Sequence, residues 1–292
     1  MKHIALKIDV DTYRGTLVGV PALTEQLSKH GTPGTFFFSL GKDSSGKEAR
    51  GYSLAQYYDR STRLYGVLFP SPDIGTRCAE TLRKVAEAGF ETGLHAWNRA
   101  LWERNIERAD NSWVGWQFGE GCKRYAELFG SLPTAYAAPG WRTNRHALRL
   151  TQRFGFAYAS DCHGSHPFIP VIDGEIVLCP QIPTTLPTID EILALEPSFS
   201  ADQAADRILQ LSSAIPGDHV FTLRAELEGM KFPSVFARLL AGWVERGYEL
   251  TGLGALASPL TLDDLPRHEV TFSETAGRRG SRMMQGPEFL AQ

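Results

Sequence analysis

Two carboxylates one residue apart close the first apolar run of the chain, in Ile8-Asp9-Val10-Asp11. On a strand, alternate side chains share a face, so Asp9 and Asp11 point the same way. Two close carboxylates do not both ionise freely without a cation between them. The pair suggests one metal ligand and one general base, against a plainer reading as two loop caps. Other reactive side chains follow at the ends of later apolar runs: His95, then Arg142, then Asp161 with His163, then Arg224 with Glu226. A lone strand-end Asp is usually a cap or a turn residue. Carboxylate, imidazole and guanidinium groups gathered at matching ends point instead to one reaction centre.

The elements that would hold them alternate along the chain. Residues 3–9, 35–39, 90–96, 135–138, 156–161, 176–178 and 220–223 read as strands. Residues 20–30, 75–89, 117–130, 144–154, 202–213 and 235–246 read as helices, several stopped by glycine, one capped by Asn144. Alternation of this kind predicts an α/β fold with a parallel sheet curled into a (β/α) barrel, one domain over residues 1–257. Residues 41–72 interrupt the rhythm as a polar insertion carrying Tyr52, Tyr57, Tyr58, Tyr65 and Phe69, the kind of segment that serves as a lid. The tail, 258–292, is charged and Gly-rich and is expected to be partly disordered.

Composition narrows the function. Thirty Lys and Arg against 33 Asp and Glu leave a formal charge of −3, which offers no basic field for nucleic acid. With 42 % hydrophobic and 22 % charged residues the chain reads as globular rather than disordered. No stretch approaches the roughly 18 apolar residues of a membrane span, and the start of the chain does not read as a signal peptide. Cys78, Cys122, Cys162 and Cys179 have neither zinc-site nor disulfide spacing, so reduced thiols in a cytoplasmic protein are expected. His3, His30, His146, His219 and His268 are scattered singly and read as surface or capping residues. Trp97, Trp102, Trp113 and Trp116 are either core or a sugar-stacking wall.

Short stretches in order carry a resemblance. Ile8-Asp9-Val10-Asp11-Thr12-Tyr13-Arg14-Gly15-Thr16, Gly93-Leu94-His95-Ala96-Trp97, Ala138-Pro139-Gly140-Trp141-Arg142, Ser160-Asp161-Cys162, Gln181-Ile182-Pro183 and Ala225-Glu226-Leu227-Glu228-Gly229 together resemble the NodB-homology polysaccharide deacetylase family. The resemblance implies a distorted (β/α) barrel that hydrolyses the N-formyl or N-acetyl group of an amino sugar. The expected substrate is a polyprenyl-phosphate-linked 4-formamido-arabinose, as in lipid A modification, with peripheral contact at the inner membrane face. A deacylase of a soluble amino sugar and a catalytically silent barrel that binds a related sugar are the alternatives. The resemblance casts Asp9 as general base, Asp11 and His95 as ligands of a zinc-like divalent metal, Arg142 as the residue orienting the base, and Asp161 as a support of the catalytic residues. Arg14, Trp97, Arg99, Trp141 and Glu226 are candidates for substrate contact. No organic cofactor is implied.

Three positions depart from the family pattern. Arg99 stands where the second metal histidine is expected, Arg224 where the last motif carries a histidine acting as acid and oxyanion donor, and His163 where an arginine is usual. Guanidinium has no lone pair to give a metal and does not surrender a proton near neutral pH. Asp11 and His95 alone are fewer than the three protein ligands of a catalytic zinc, so weak or absent metal is expected. His163, Glu226 and Glu103 are open as replacement ligands, and His163 is the candidate acid.

Overall fold

The computed structural model describes residues 2–47, 53–274 and 280–290. Its strands are β1 (Lys2–Val10), β2 (Thr35–Ser39), β3 (Glu91–Ala96), β4 (Ala135–Tyr136), β5 (Tyr158–Ala159), β6 (Ile169–Ile172), β7 (Glu175–Ile176), β8 (His219–Arg224), β9 (Tyr248–Thr251), β10 (Arg267–Glu274) and β11 (Ser281–Glu288). Its helices are α1 (Val20–Lys29), α2 (Ile74–Arg77), α3 (Ala79–Glu87), α4 (Arg99–Asn105), α5 (Asn111–Phe129), α6 (Arg145–Arg153), α7 (Ile189–Leu195), α8 (Ala201–Ala214), α9 (Pro233–Glu245) and α10 (Leu253–Ala257).

The main sheet runs β5-β4-β3-β2-β1-β8 with every pair parallel. β1 is its axis. β8 lies along Ile4–Asp9 on one edge, so the other edge is shared by β9 beside Lys2–Ala5 and β2 beside Lys7–Val10. A strand paired on both edges and covered on both faces is apolar almost throughout, as Ile4, Ala5, Leu6, Ile8 and Val10 are. Lys7 and Asp9 break that run while fully buried, which marks the strand as chemical as well as structural. The register sets Asp9 directly beside Arg224 of β8 and Phe37 of β2.

The barrel is distorted in a definite way. No ladder joins β5 to β8. Residues 180–186 fill the seam as an irregular strip: Ala159 N donates to the Pro180 carbonyl at 2.9 Å and Ile182 N to the Ala159 carbonyl at 2.8 Å, while Thr185 and Leu186 N both donate to Val220. Asn144 caps α6 through bonds to the His146 and Ala147 amides, and α5 stops at Gly130 with φ +79°, both as the sequence predicts.

The tail carries strands that its sequence does not announce. Over the described residues it is ordered: β10 and β11 form an antiparallel hairpin that joins β6 and β7 in a second sheet, order β11-β10-β6-β7. Hydrophobic Val270 and Met283 alternate too sparsely among charges to announce strands, yet Arg282 and Met283 are fully buried against the barrel. The 176–178 run likewise belongs to this second sheet, through β7, rather than to the barrel. Gly277, Arg278 and Arg279 lie outside the described residues, as does Tyr52 of the insertion. The four cysteines are free and buried, in agreement with reduced thiols.

Two wide helical turns, Gly15–Gly19 and Leu227–Lys231, cross at backbone contact. A Cβ on Gly229 would lie 2.6 Å from the Gly19 carbonyl oxygen, and one on Gly19 would lie 2.1 Å from that of Ala225. Gly229→Ala should therefore destabilise the chain by about 1–3 kcal/mol, the usual cost of overpacking. A lowered denaturant midpoint at constant slope would show it; an unchanged midpoint would mean the crossing has room.

Candidate active site

Asp11 is the centre of a buried charge cluster. Its Oδ2 accepts from Arg224 Nη1 at 3.0 Å, its Oδ1 lies 3.1 Å from His95 Nε2, and Arg99 Nε is 3.9 Å away. His95 Nδ1 donates to the Ala137 carbonyl at 2.7 Å, which fixes the ring and points Nε2 at the carboxylate. Burial alone would raise the Asp11 carboxyl; the His95 hydrogen bond and the Arg99 and Arg224 charges outweigh it and hold the group well below the usual carboxylate range. Arg99 opens α4 just after its cap, Asn98. It donates Nη1 to Glu103 at 3.0 Å and Nη2 to Ser45 Oγ at 3.1 Å, tying the insertion to the cluster.

Asp9 sits one alternation earlier. Lys7 Nζ lies 3.8 Å from its Oδ1 and Arg224 Nη1 4.0 Å from its Oδ2, and Oδ1 is buried with no hydrogen-bond partner. Sequence reasoning expected an arginine to clamp Asp9. The structure gives the hydrogen bond to Asp11: Arg224 Nη1 reaches past its register neighbour and ends 3.0 Å from Asp11 Oδ2 but 4.0 Å from Asp9 Oδ2. Asp161 receives the Ala138 amide at 2.8 Å and Gln181 Nε2 at 3.1 Å, and burial still pushes it up to about 6. Glu226 does not face an open pocket. Its Oε1 accepts from the Asp11 amide and from the amide and hydroxyl of Thr12, so it shapes the turn that carries Asp11. Burial first, then the Asp11 charge, raises its carboxyl.

Trp141 walls the other side. Its φ of +55° turns the chain after Pro139-Gly140 so that the indole points inward, donating Nε1 to Thr184 Oγ1 at 3.0 Å. Lys7 Nζ, and the guanidinium carbons of Arg224 and Arg282, lie 5.4, 5.5 and 5.4 Å from its rings. The same turn sends Arg142 away. Its guanidinium donates to Glu107 at 2.8 Å and contacts neither Asp9 nor Asp161, which overturns the expected orienting role. His163 packs on Trp141 at a 45° tilt with centroids 4.3 Å apart and lies 3.4 Å from Glu191, a carboxylate it shares with Arg282. None of its polar contacts reaches Asp9 or Asp11. Arg14 pairs with Asp59 of the insertion at 2.9 Å and does not line the cluster, whereas Trp97, packed against Arg124 and Gly41, borders the small space beside Asp11. The tryptophans form no common wall: Trp102 is core, and Trp116 is exposed.

Lys7, Glu191, Glu228 and Arg282 escaped the sequence reading. Lys7 had a signal, since it alternates with Asp9 and Asp11 inside an apolar strand. Glu228 accepts the Arg224 amide at 2.7 Å and lay inside a quoted motif. Arg282 had none, because only tertiary packing brings the tail there.

The cluster is closed. Asp9, Asp11, His95, Arg99 and Arg224 are each at most 3 % exposed, and the space beside Asp11, between Ser45, Trp97 and Arg99, is too narrow to admit a water molecule. These residues do not fit the divalent ion that the resemblance implies. Two guanidinium groups stand where it would need donors, one bonded to Asp11, and Glu103, an open replacement ligand, is held by Arg99. Among the described residues no group of three or more His, Cys, Asp and Glu is placed to hold a metal.

A curled parallel sheet with paired strand-end carboxylates and an in-facing histidine defines a NodB-type polysaccharide deacetylase fold. A polysaccharide deacetylase structure from Mycobacterium smegmatis superposes with a TM-score of 0.66 at 20 % identity, covering 94 % of this chain and 95 % of that one. A CE4 family pseudoenzyme from Bacillus anthracis superposes at 0.53 and 13 %, covering 92 % and 69 %. No family model matches the chain. The relative named "Probable 4-deoxy-4-formamido-L-arabinose-phosphoundecaprenol deformylase ArnD" from Shewanella sediminis is 32 % identical over 289 residues, 95 % of this chain and 92 % of its own. The protein of the same name from Wigglesworthia glossinidia brevipalpis is 30 % identical over 91 % of this chain and 96 % of its own. The chain belongs to this deformylase family.

The raised carboxyls make stability depend on pH. Burial pushes Glu228 from an ordinary 4.5 up to about 8. The folded state then holds that proton more tightly than the unfolded chain. Its contribution is full below about pH 4.5 and is lost as pH rises through about 8. Asp161 acts in the same direction through about pH 6. Denaturant midpoints should therefore fall from about pH 5 to 8, and Glu228→Gln should flatten the fall. An identical profile in the variant would contradict this.

Proposed function

We propose that this chain is an amino-sugar hydrolase that removes a formyl or acetyl group, as its deformylase relatives are named to do, and that it works with little or no metal at Asp11 and His95. The observation that carries the reading is Asp9: a buried carboxylate whose Oδ1 has no hydrogen-bond partner, in a chain aligned with named deformylases over 95 % of its length. Asp9 is placed to take a proton from an attacking water. Arg224 and Arg99 supply fixed positive charge for the oxyanion, an effect worth about 3–4 kcal/mol per donor in other enzymes. A guanidinium cannot make water acidic, so turnover is slow. The insertion, fastened through Ser45 and Asp59, has to move for substrate to reach Asp9.

The substrate we favour is a formamido-arabinose on a polyprenyl phosphate, presented at the inner membrane face. No helix among the described residues is long and apolar enough to cross a membrane. A peripheral contact is supported by Val67, Leu68 and Phe69 of the insertion, 60, 74 and 48 % exposed, next to Tyr65, which packs on Tyr13 one turn from exposed Leu17. The Arg224–Asp11 bond favours a second reading, a silent barrel that binds the same sugar.

Formate release from formamido-arabinose-phosphoundecaprenol, measured with chelator and with added zinc, separates the readings. We expect slow release that chelator leaves unchanged and that Asp9→Asn lowers by at least about 100-fold. Binding without release selects the silent barrel, and neither removes the substrate assignment. Release that depends on zinc would show that the ion binds despite the arginines.

A further inference from the structure

A second group of side chains lies outside this cluster, where the tail hairpin meets the loop after β5. His166 on that loop and His268 on β10 face each other with their Nε2 atoms 3.2 Å apart and their ring centroids 5.0 Å apart. The hydrogen on each ring is fixed by its other neighbours. His268 Nδ1 lies 2.9 Å from the Gly286 carbonyl, which only accepts, so the hydrogen is on Nδ1 and Nε2 is bare. The Ser165 amide donates to Gln285 at 2.7 Å, which identifies that Gln285 atom as its oxygen. The Gln285 nitrogen is then the atom 3.2 Å from His166 Nε2, and an amide nitrogen only donates. His166 Nε2 is therefore bare as well. Its Nδ1 hydrogen goes to Ser165 Oγ at 2.8 Å, and that hydroxyl donates on to the Gln285 oxygen at 3.2 Å. Every hydrogen has a place in this scheme, and it leaves two bare imidazole nitrogens 3.2 Å apart, the His166 one also receiving the Gln285 amide hydrogen.

Two lone pairs at that distance repel unless a cation lies between them. We infer that His166 and His268 form a binding site for a borderline divalent transition metal, zinc or copper(II) in class, which clips the C-terminal hairpin to the barrel. Zinc–imidazole bonds of about 2.0–2.1 Å at a tetrahedral angle put the two nitrogens about 3.3 Å apart, close to the observed 3.2 Å. Each ring already donates its other N–H to an oxygen, the arrangement that orients histidine ligands. The ion displaces one contact, the Gln285 amide hydrogen on His166. His166 is exposed and His268 half-buried, so water reaches the remaining coordination positions. No third His, Cys, Asp or Glu among the described residues completes the set, which makes this a two-histidine site finished by solvent. The clip is independent of Asp11 and His95.

Calorimetric titration of the full chain with zinc chloride, paired with thermal melts with and without zinc, tests it. One zinc per chain should bind and raise the melting temperature, because the folded state alone holds the two rings together. His166→Ala and His268→Ala should each weaken binding by more than the 10–100-fold typical of losing an outer hydrogen-bond partner. Gln285→Leu, which leaves both ligand nitrogens and the acceptors of their ring N–H groups in place, should change binding by less than that range. The histidine variants should melt like the unaltered chain in chelator, which shows that they fold. Zinc affinity unchanged in both histidine variants would overturn the inference, as would no zinc-induced rise in the unaltered chain, which would mean that a proton sits between the rings.

Discussion

A carboxylate cut off from water needs a cation within reach, and the mouth of this barrel is organised around that requirement at Asp11. Removing one partner of a buried ion pair typically costs 3–5 kcal/mol, because the other charge is left in a medium that cannot solvate it. Here the need is met by two guanidinium groups, from α4 and β8, with the His95 ring of β3 set against the same carboxylate. Each of those side chains is in turn held. His95 leans on Ala137, Arg99 on Glu103 and Ser45, and the Arg224 amide on Glu228. The order of the mouth follows from neutralising one carboxylate.

The same solution sets the chemical character of the site. A divalent ion would be a Lewis acid, able to polarise an amide and to make bound water acidic. Guanidinium supplies charge and hydrogen bonds but no vacant orbital and no labile proton. In the proposed function, deacetylase chemistry rests on position: Asp9, with one oxygen free of hydrogen bonds, the guanidinium groups of Arg99 and Arg224, and an aromatic wall at Trp141 with cations around it.

Two segments outside the regular barrel are fastened to this centre. The insertion is anchored through Ser45 to Arg99, through Asp43 to the Tyr13 amide, and through Asp59 to Arg14. The tail hairpin reaches the opposite side, where Arg282 bonds Glu191 and lies against Trp141. Apolar packing adds to these charged contacts: Leu54, Ala55 and Tyr58 of the insertion cluster with Leu227, and Met283 of the hairpin enters the main core.

Much of the architecture was legible in the chain itself. Alternating apolar runs and glycine-stopped helices are local patterns, and they marked six of the seven strands of the main sheet, all but β9, and the placement of Asp9, Asp11, His95 and Arg224 at one end of it. Residue type alone also decided that Arg99 and Arg224 cannot ligate a metal. Partner choice was not legible. Whether Arg224 bonds Asp9 or Asp11 depends on about an ångström of reach across a register. Arg142 faces away from the site because a positive φ at Trp141 turns the chain, and no spacing rule conveys that. His166 and His268 look like isolated surface histidines until a hairpin more than 100 residues further on lays one ring against the other. Sequence determines what each side chain can do, because chemistry is a property of the residue; the tertiary structure decides what it does it to, because contacts between distant segments are set by how the whole chain packs.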